Sequence, residues 1–184
     1  MRRVAGAALA GVGVVALVWA AIALADVIQC KAGKQCNGTQ FEDTITGSSK
    51  KDGINAKAGN DEVYAGRGDD TVELGDGIDY VEGGKGEDKI SGGDDDDIGI
   101  TGGLFGGRDD DMVTGGDGND DLYGDKGKDV LVGGGGDDQI VGAGAAPGDD
   151  GSKDRLTCGP GFDTAIVGNN DEYDESCEDI VLER

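Results

Sequence analysis

Gly83-Gly84-Lys85-Gly86-Glu87-Asp88-Lys89-Ile90-Ser91 is the stretch on which the reading of this chain turns. Its plan puts glycine at the first, second and fourth places, aspartate at the sixth and a lone aliphatic at the eighth. The plan recurs at intervals of nine along most of the sequence. Asp43, Asp52, Asp61, Asp70, Asp79, Asp88 and Asp97 keep the interval strictly. After a five-residue slip it resumes at Asp111, Asp120, Asp129 and Asp138, and after a seven-residue slip at Asp154 and Asp163. Two residues beyond these aspartates stand Ile45, Ile54, Val63, Val72, Val81, Ile90, Val113, Leu122, Leu131, Ile140 and Leu156. High charge with few aromatics is otherwise a signature of disorder. Solvated acidic tracts have no reason to place an Ile, Val or Leu every ninth residue, so the period argues for a stacked repeat.

The unit divides into six residues that turn and three that extend. Triplets such as Thr71-Val72-Glu73 alternate polar, apolar and polar, which sends the central side chain to one face of a strand. Two units then make a coil of 18 residues. Stacked coils bring parallel strands about 4.8 Å apart. Two facing rows of aliphatics fill the centre, with Gly99 and Ala165 as the weak inward positions. Each outer edge carries a column of aspartates. Carboxylates about 5 Å apart repel by roughly 0.8 kcal/mol in water and about 3 kcal/mol at an effective dielectric of 20. A divalent cation between successive turns reverses that sign. Aspartate carboxylates and glycine carbonyls are hard oxygen donors suited to Ca2+, and the chain has no histidine for zinc or copper.

The pattern resembles the RTX, or haemolysin-type, calcium-binding repeat family, whose motif reads G-G-x-G-x-D-x-aliphatic-x. Besides Gly83 to Ser91, close copies run from Ala65 to Glu73, Gly115 to Tyr123 and Gly133 to Val141. The resemblance covers roughly residues 37–167. It implies an all-β fold, a parallel β-roll (a β-helix solenoid), which folds on binding calcium through the motif aspartate and turn carbonyls. On this sequence the implied metal ligands are Asp61, Asp70, Asp79, Asp88, Asp97, Asp111, Asp120, Asp129 and Asp138. They are joined by the turn glycines Gly66, Gly68, Gly75, Gly77, Gly84, Gly86, Gly116, Gly118, Gly134 and Gly136. The tail from Asp154 to Asp163, with Glu172 to Val181, is similar to the closing segment of small secreted bacterial calcium-binding proteins.

Some units depart from the motif. Ser48 and Lys50 replace glycines before Asp52, which weakens Asp52 as a ligand. Gly99 at an aliphatic place suggests either a local break or a slip bringing Ile98 or Ile100 inward. Thr101 to Phe105 reads as five inserted residues forming a bulge or loop, and Asp109 replaces a turn glycine. Gly142 to Lys153, with Pro147, reads as a flexible loop. Clean metal columns are therefore expected within 59–97 and 107–138.

Arg2 and Arg3 precede an apolar run from Val4 that closes on Ala23-Leu24-Ala25, the plan of a secretory signal peptide. An uncleaved anchor is the alternative reading. The expected organisation is a signal peptide helix (1–25), an N-terminal cap (26–36), a first repeat block (37–105), a second block (106–141), a loop (142–153) and a C-terminal repeat and cap (154–184). Four cysteines in an exported chain favour disulfides, with three pairings open. Cys30 with Cys36 and Cys158 with Cys177 is the economical choice, tying down each end.

The formal charge of −23 disfavours nucleic acid and anionic membranes as partners. A secreted monomer without stable membrane insertion after leader cleavage is expected. The absence of histidine removes the usual Ser-His-Asp and Cys-His arrangements, so no enzyme activity is expected. A hydrolase using paired carboxylates is the remote alternative. The nearer one is an adhesin or polymer-binding module using the rigid face. Outward pairs such as Glu62/Tyr64, Tyr80/Glu82, Asp121/Tyr123 and Val130/Val132 show no regular ladder of identical residues.

Overall fold

The computed structural model describes residues 26–99, 102–143 and 150–182; the predicted leader, residues 1–25, lies outside them. The described residues wind into a flattened coil of short strands. These are β1 (Asp26–Gln29), β2 (Gln35–Asn37), β3 (Asp43–Thr46), β4 (Gly53–Ala58), β5 (Glu62–Arg67), β6 (Thr71–Asp76), β7 (Tyr80–Lys85) and β8 (Lys89–Asp94). The winding continues through β9 (Gly103–Arg108), β10 (Met112–Asp117), β11 (Asp121–Lys126), β12 (Val130–Gly135) and β13 (Gln139–Ala143). It ends with β14 (Arg155–Thr157), β15 (Thr164–Val167), β16 (Glu172–Tyr173) and β17 (Asp179–Leu182). Odd strands form one nine-stranded sheet and even strands an eight-stranded sheet, each in sequence order. Every pairing is parallel, as in β5–β7, where Val63 lies beside Val81. The molecule is the expected all-β parallel β-roll.

The core is the pair of facing aliphatic rows. Ile45, Val63, Val81, Leu104, Leu122 and Ile140 on the odd sheet meet Ile54, Val72, Ile90, Val113, Leu131 and Leu156 on the even one. All are essentially inaccessible to water. From β4 to β13 the strands, however, run five or six residues, longer than the three read from the sequence. β7 extends over six residues, and its inward positions are Val81 and Gly83. The first place of each unit is thus a second core position, occupied by Ala56, Ala65 and Leu74 in three successive units, by Cys158 and Val167 at the end of the coil, and by glycine in the others. Glycine conceals strand character because it has no side chain to alternate. A Cβ on Gly83 would sit 2.3 Å from the Gly106 carbonyl oxygen, too close for any larger residue in that local packing.

The first insertion lies elsewhere than expected. Gly103, Leu104 and Phe105 belong to β9, where Leu104 pairs with Val81 and Leu122 and takes the inward place expected of Gly99. Ile98 does not turn inward; it is 40 % exposed. Ile100 lies outside the described residues. The extra residues therefore fall between Asp97 and β9, and neither core row is interrupted. In the second interruption the coil is in register up to β13 and resumes at β14, with Leu131 beside Leu156. Disulfides join Cys30 to Cys36 and Cys158 to Cys177, with Cα separations of 5.5 and 5.1 Å. Cys36 occupies an aliphatic place beside Ile54, so the first bridge closes the end of the core as well as the chain terminus.

Candidate metal centre

The motif aspartates are not displayed on the edges. All thirteen from Asp43 to Asp163 are at most 3 % exposed. Their carboxylates are held by a ladder of backbone donors running from coil to coil. The N–H of Asp61 donates to Oδ1 of Asp79 at 2.7 Å, and that of Asp79 to Oδ1 of Asp97 at 2.7 Å. On the other edge Asp70 donates to Asp88 at 2.8 Å, Asp88 to Asp111 at 2.7 Å and Asp111 to Asp129 at 2.8 Å. Both insertions are crossed without loss. Asp97 donates to Asp120 at 3.0 Å, Asp129 to Asp154 at 2.9 Å and Asp138 to Asp163 at 2.8 Å. One column ends at Glu178, whose Oε2 accepts from the N–H of Asp163, and the other at Asp171, whose Oδ1 accepts from the N–H of Asp154. Each rung supplies a charge-assisted bond. The mutual repulsion read from the sequence is therefore offset at one oxygen of every carboxylate.

The second oxygen divides the coil. Oδ2 is buried without a hydrogen-bond partner in Asp61, Asp70, Asp79, Asp88, Asp111, Asp120, Asp129, Asp138 and Asp163. A buried, ionised acceptor left unpaired is costly, more so than a neutral one. The first two turns differ. Oδ2 of Asp43 accepts the Thr39 N–H and Oδ2 of Asp52 the Ser48 N–H, both at 2.6 Å. The Thr39 hydroxyl bonds Phe41 and the Ser48 hydroxyl bonds Lys50, closing the turn locally. Asp52, weakened as a ligand by its departing turn, is thus self-satisfied. Asp163 stands outside the ligand set that the resemblance implies, yet its Oδ2 is unpartnered like the others, and the nine-residue count resuming at Asp154 points to it.

The ten candidate glycines all lie at φ between 107° and 136°, a region open mainly to glycine. They also mark close approaches: a Cβ on Gly84 would lie 2.3 Å from the Gly66 oxygen, and one on Gly136 2.1 Å from the Gly118 oxygen. The carbonyls of one turn thus face the bare Cα atoms of the next. Lys57, Asp95, Asp109 and Asp125 stand where the motif has glycine and keep positive φ at 90°, 78°, 80° and 69°. The coil imposes the backbone shape even where the residue resists it.

Burial pushes the aspartate pKa values upward, the backbone N–H bond lowers them, and neighbouring carboxylates raise them further. They reach about 6 at Asp70 and Asp79, about 7 at Asp61, Asp88 and Asp138, and about 8 at Asp97, Asp111 and Asp129. Asp120 and Asp163 shift in the same direction, again chiefly through burial. These carboxylates call for a counter-charge. Among the described residues no group of three or more acidic side chains is gathered at one point. Nine turns offer a carboxylate oxygen without a hydrogen-bond partner, close to the first glycine of the unit: Asp88 Oδ2 and Asp120 Oδ2 would lie 2.8 and 2.3 Å from a Cβ on Gly83 and Gly115. All four cysteines are oxidised, leaving only hard oxygen donors. The set fits Ca2+ and suits no softer metal.

A family model described as RTX calcium-binding nonapeptide repeat (4 copies) matches residues 37–72, 73–103 and 105–140, more than half of the chain. The chain belongs to the RTX calcium-binding nonapeptide repeat family. No curated protein matches it. RTX repeats bind calcium, and Ca2+ is the cofactor that this β-roll implies. The roll itself extends past the matched repeats through β17.

Proposed function

We propose that this protein is an exported, non-catalytic scaffold whose turns hold Ca2+ and whose folding depends on that occupancy. The supporting observation is the set of nine buried Oδ2 atoms without a partner. The ligands are assigned to Asp61, Asp70, Asp79, Asp88, Asp111, Asp120, Asp129 and Asp138, with Asp97 in the same column and Asp163 added. Oxygens of the turn glycines complete the set: Gly66, Gly68, Gly75, Gly77, Gly84, Gly86, Gly116, Gly118, Gly134 and Gly136. Bound Ca2+ supplies positive charge where the chain has placed unpaired carboxylate oxygens. Asp43 and Asp52 are excluded, because Oδ2 is bonded within its own turn and Oδ1 accepts the N–H of Asp26 or Gly33 from the preceding coil. Export is supported by the leader pattern of residues 1–25 and by two disulfides, bonds that persist in oxidising compartments.

The test is circular dichroism of the chelator-treated protein during a calcium titration, with magnesium as control. The β signal is expected to develop at about 0.1–1 mM calcium, the range of extracellular calcium modules. A spectrum already complete in chelator and unmoved by calcium refutes the coupling. Native mass spectrometry then gives the number of ions, together with the expected monomer.

A further inference from the structure

The outward face of the nine-stranded sheet carries a line of aromatic rings that the nine-residue period does not reveal. Tyr64, Tyr80, Phe105 and Tyr123 stand on the neighbouring strands β5, β7, β9 and β11. Successive ring centroids are 6.0, 5.5 and 4.5 Å apart, and the last pair is stacked with 3° between the planes. Aromatics make up only 4 % of the chain, yet three of its four tyrosines meet on this face. The line exists because the first insertion brings Phe105 into register with Glu82 and Tyr123. The Tyr64 hydroxyl donates to Glu62 at 2.5 Å and the Tyr80 hydroxyl to Glu82 at 2.6 Å, so two of the rings are held in place before any ligand arrives.

Beside the line runs a groove of about 410 Å³, floored by Gly84 and Gly107 and walled by Tyr80 and Phe105. Its remaining lining mixes acceptors, Glu82 and Asp125, with donors, Arg108 and Lys126. Asp125 is the unusual member. The equivalent places on the two preceding odd strands hold Gly84 and Gly107, but here an aspartate is kept at φ 69°. Its carboxylate makes no hydrogen bond or ion pair among the described residues, whose one ion pair is Lys153–Glu172. Ring faces suit the apolar C–H faces of a pyranose. A hydroxyl, which both donates and accepts, suits a wall carrying both kinds of partner. A polyanion is disfavoured by the formal charge of −23. An extended peptide pairs with a sheet edge, and this groove lies on a sheet face.

We propose that this face binds an uncharged polysaccharide, with sugar rings stacked on Tyr80 and Phe105 and hydroxyls engaged by Glu82, Asp125 and Arg108. The line crosses four strands, so the site suits a short run of sugars better than one. It borders the calcium turns at Gly84 but presents its rings and charged groups on the sheet face, and it goes beyond the function proposed above. The experiment is affinity electrophoresis of the calcium-loaded full chain through gels containing hydroxyethylcellulose, laminarin, galactomannan or dextran, with alginate as the polyanion control. Retardation is expected in at least one neutral polymer and not in alginate. Phe105→Ala should weaken it about tenfold or more, as loss of an aromatic anchor does. Asp125→Gly restores the repeat residue, keeps the calcium-induced dichroism and also weakens retardation. Absence of retardation in all four neutral gels overturns the proposal, and so does retardation indifferent to both substitutions. Dimerisation without polymer that Phe105→Ala abolishes, seen by ultracentrifugation, overturns it in favour of a second copy on this face.

Discussion

At the scale of the residue, the two oxygens of a motif aspartate have different partners. Oδ1 of Asp79 accepts the Asp61 N–H, while Oδ2 has none. Asp79→Asn keeps an acceptor for the first and removes the charge offered by the second. Its calcium midpoint, followed by dichroism, should rise about tenfold, since ligand charge sets affinity in calcium loops. Asp52→Asn should leave the midpoint unchanged, because both Asp52 oxygens are already bonded within the chain. Equal shifts in the two variants would remove the distinction. The glycines can be tested in the same way. Gly84→Ala places a Cβ 2.3 Å from the Gly66 oxygen at φ 110°, whereas Gly135→Ala meets nothing nearer than Asp117 Oδ1 at 3.5 Å. In urea unfolding at saturating calcium, the first should lose about 2 kcal/mol or more. The second should stay within about 0.5 kcal/mol of the parent.

At the scale of the element, the first coils differ from the rest. β1 to β4 are closed by the Cys30–Cys36 bridge, and their turns satisfy Asp43 and Asp52 through Thr39 and Ser48. From Asp61 onward the unpaired Oδ2 atoms begin. Amide exchange in chelator should therefore show protection surviving within residues 26–58 and lost beyond residue 60, with calcium restoring it throughout. Protection that is uniform along the chain in chelator would contradict this division. The division could be suspected from Ser48 and Lys50 in the sequence, but its meaning could not. A missing glycine reads as a damaged site; only the bond from the Ser48 N–H to Asp52 shows that the turn needs no metal. Likewise Gly99 at an aliphatic place announced a break, while the choice of Leu104 to fill the row required β9 to be seen against Val81 and Leu122.

At the scale of the whole molecule, the buried aspartates make the metal-free coil sensitive to pH. Their pKa values rise from 3.8 to about 6–8, chiefly through burial, so the folded chain binds protons more tightly than the unfolded one. Stability from this source is fully present below the unfolded value and is lost as pH rises through the folded values. In chelator, the β dichroism should accordingly be stronger near pH 4 than near pH 8. Protons and calcium compete for the same oxygens, so the calcium midpoint should fall as pH rises from about 6 to 8. A metal-free β signal that instead grows over the same range would show that these carboxylates are not buried as described.

The sequence by itself determined the period, the two facing aliphatic rows, the all-oxygen donor set and hence the metal. A one-dimensional repeat suffices for these, because every unit contributes the same residue type at the same place. Tertiary structure decided which oxygen of each aspartate stays unpaired, which turns satisfy themselves, and where the inserted residues leave the coil. It also decided that Phe105 joins three tyrosines on one face. Apart from the self-satisfied turns, whose bonds span four residues, these features depend on what lies one coil away, 18 residues on where the count is regular and 23 or 25 across an insertion. Periodicity within a strand carries no record of that neighbour; stacking creates it.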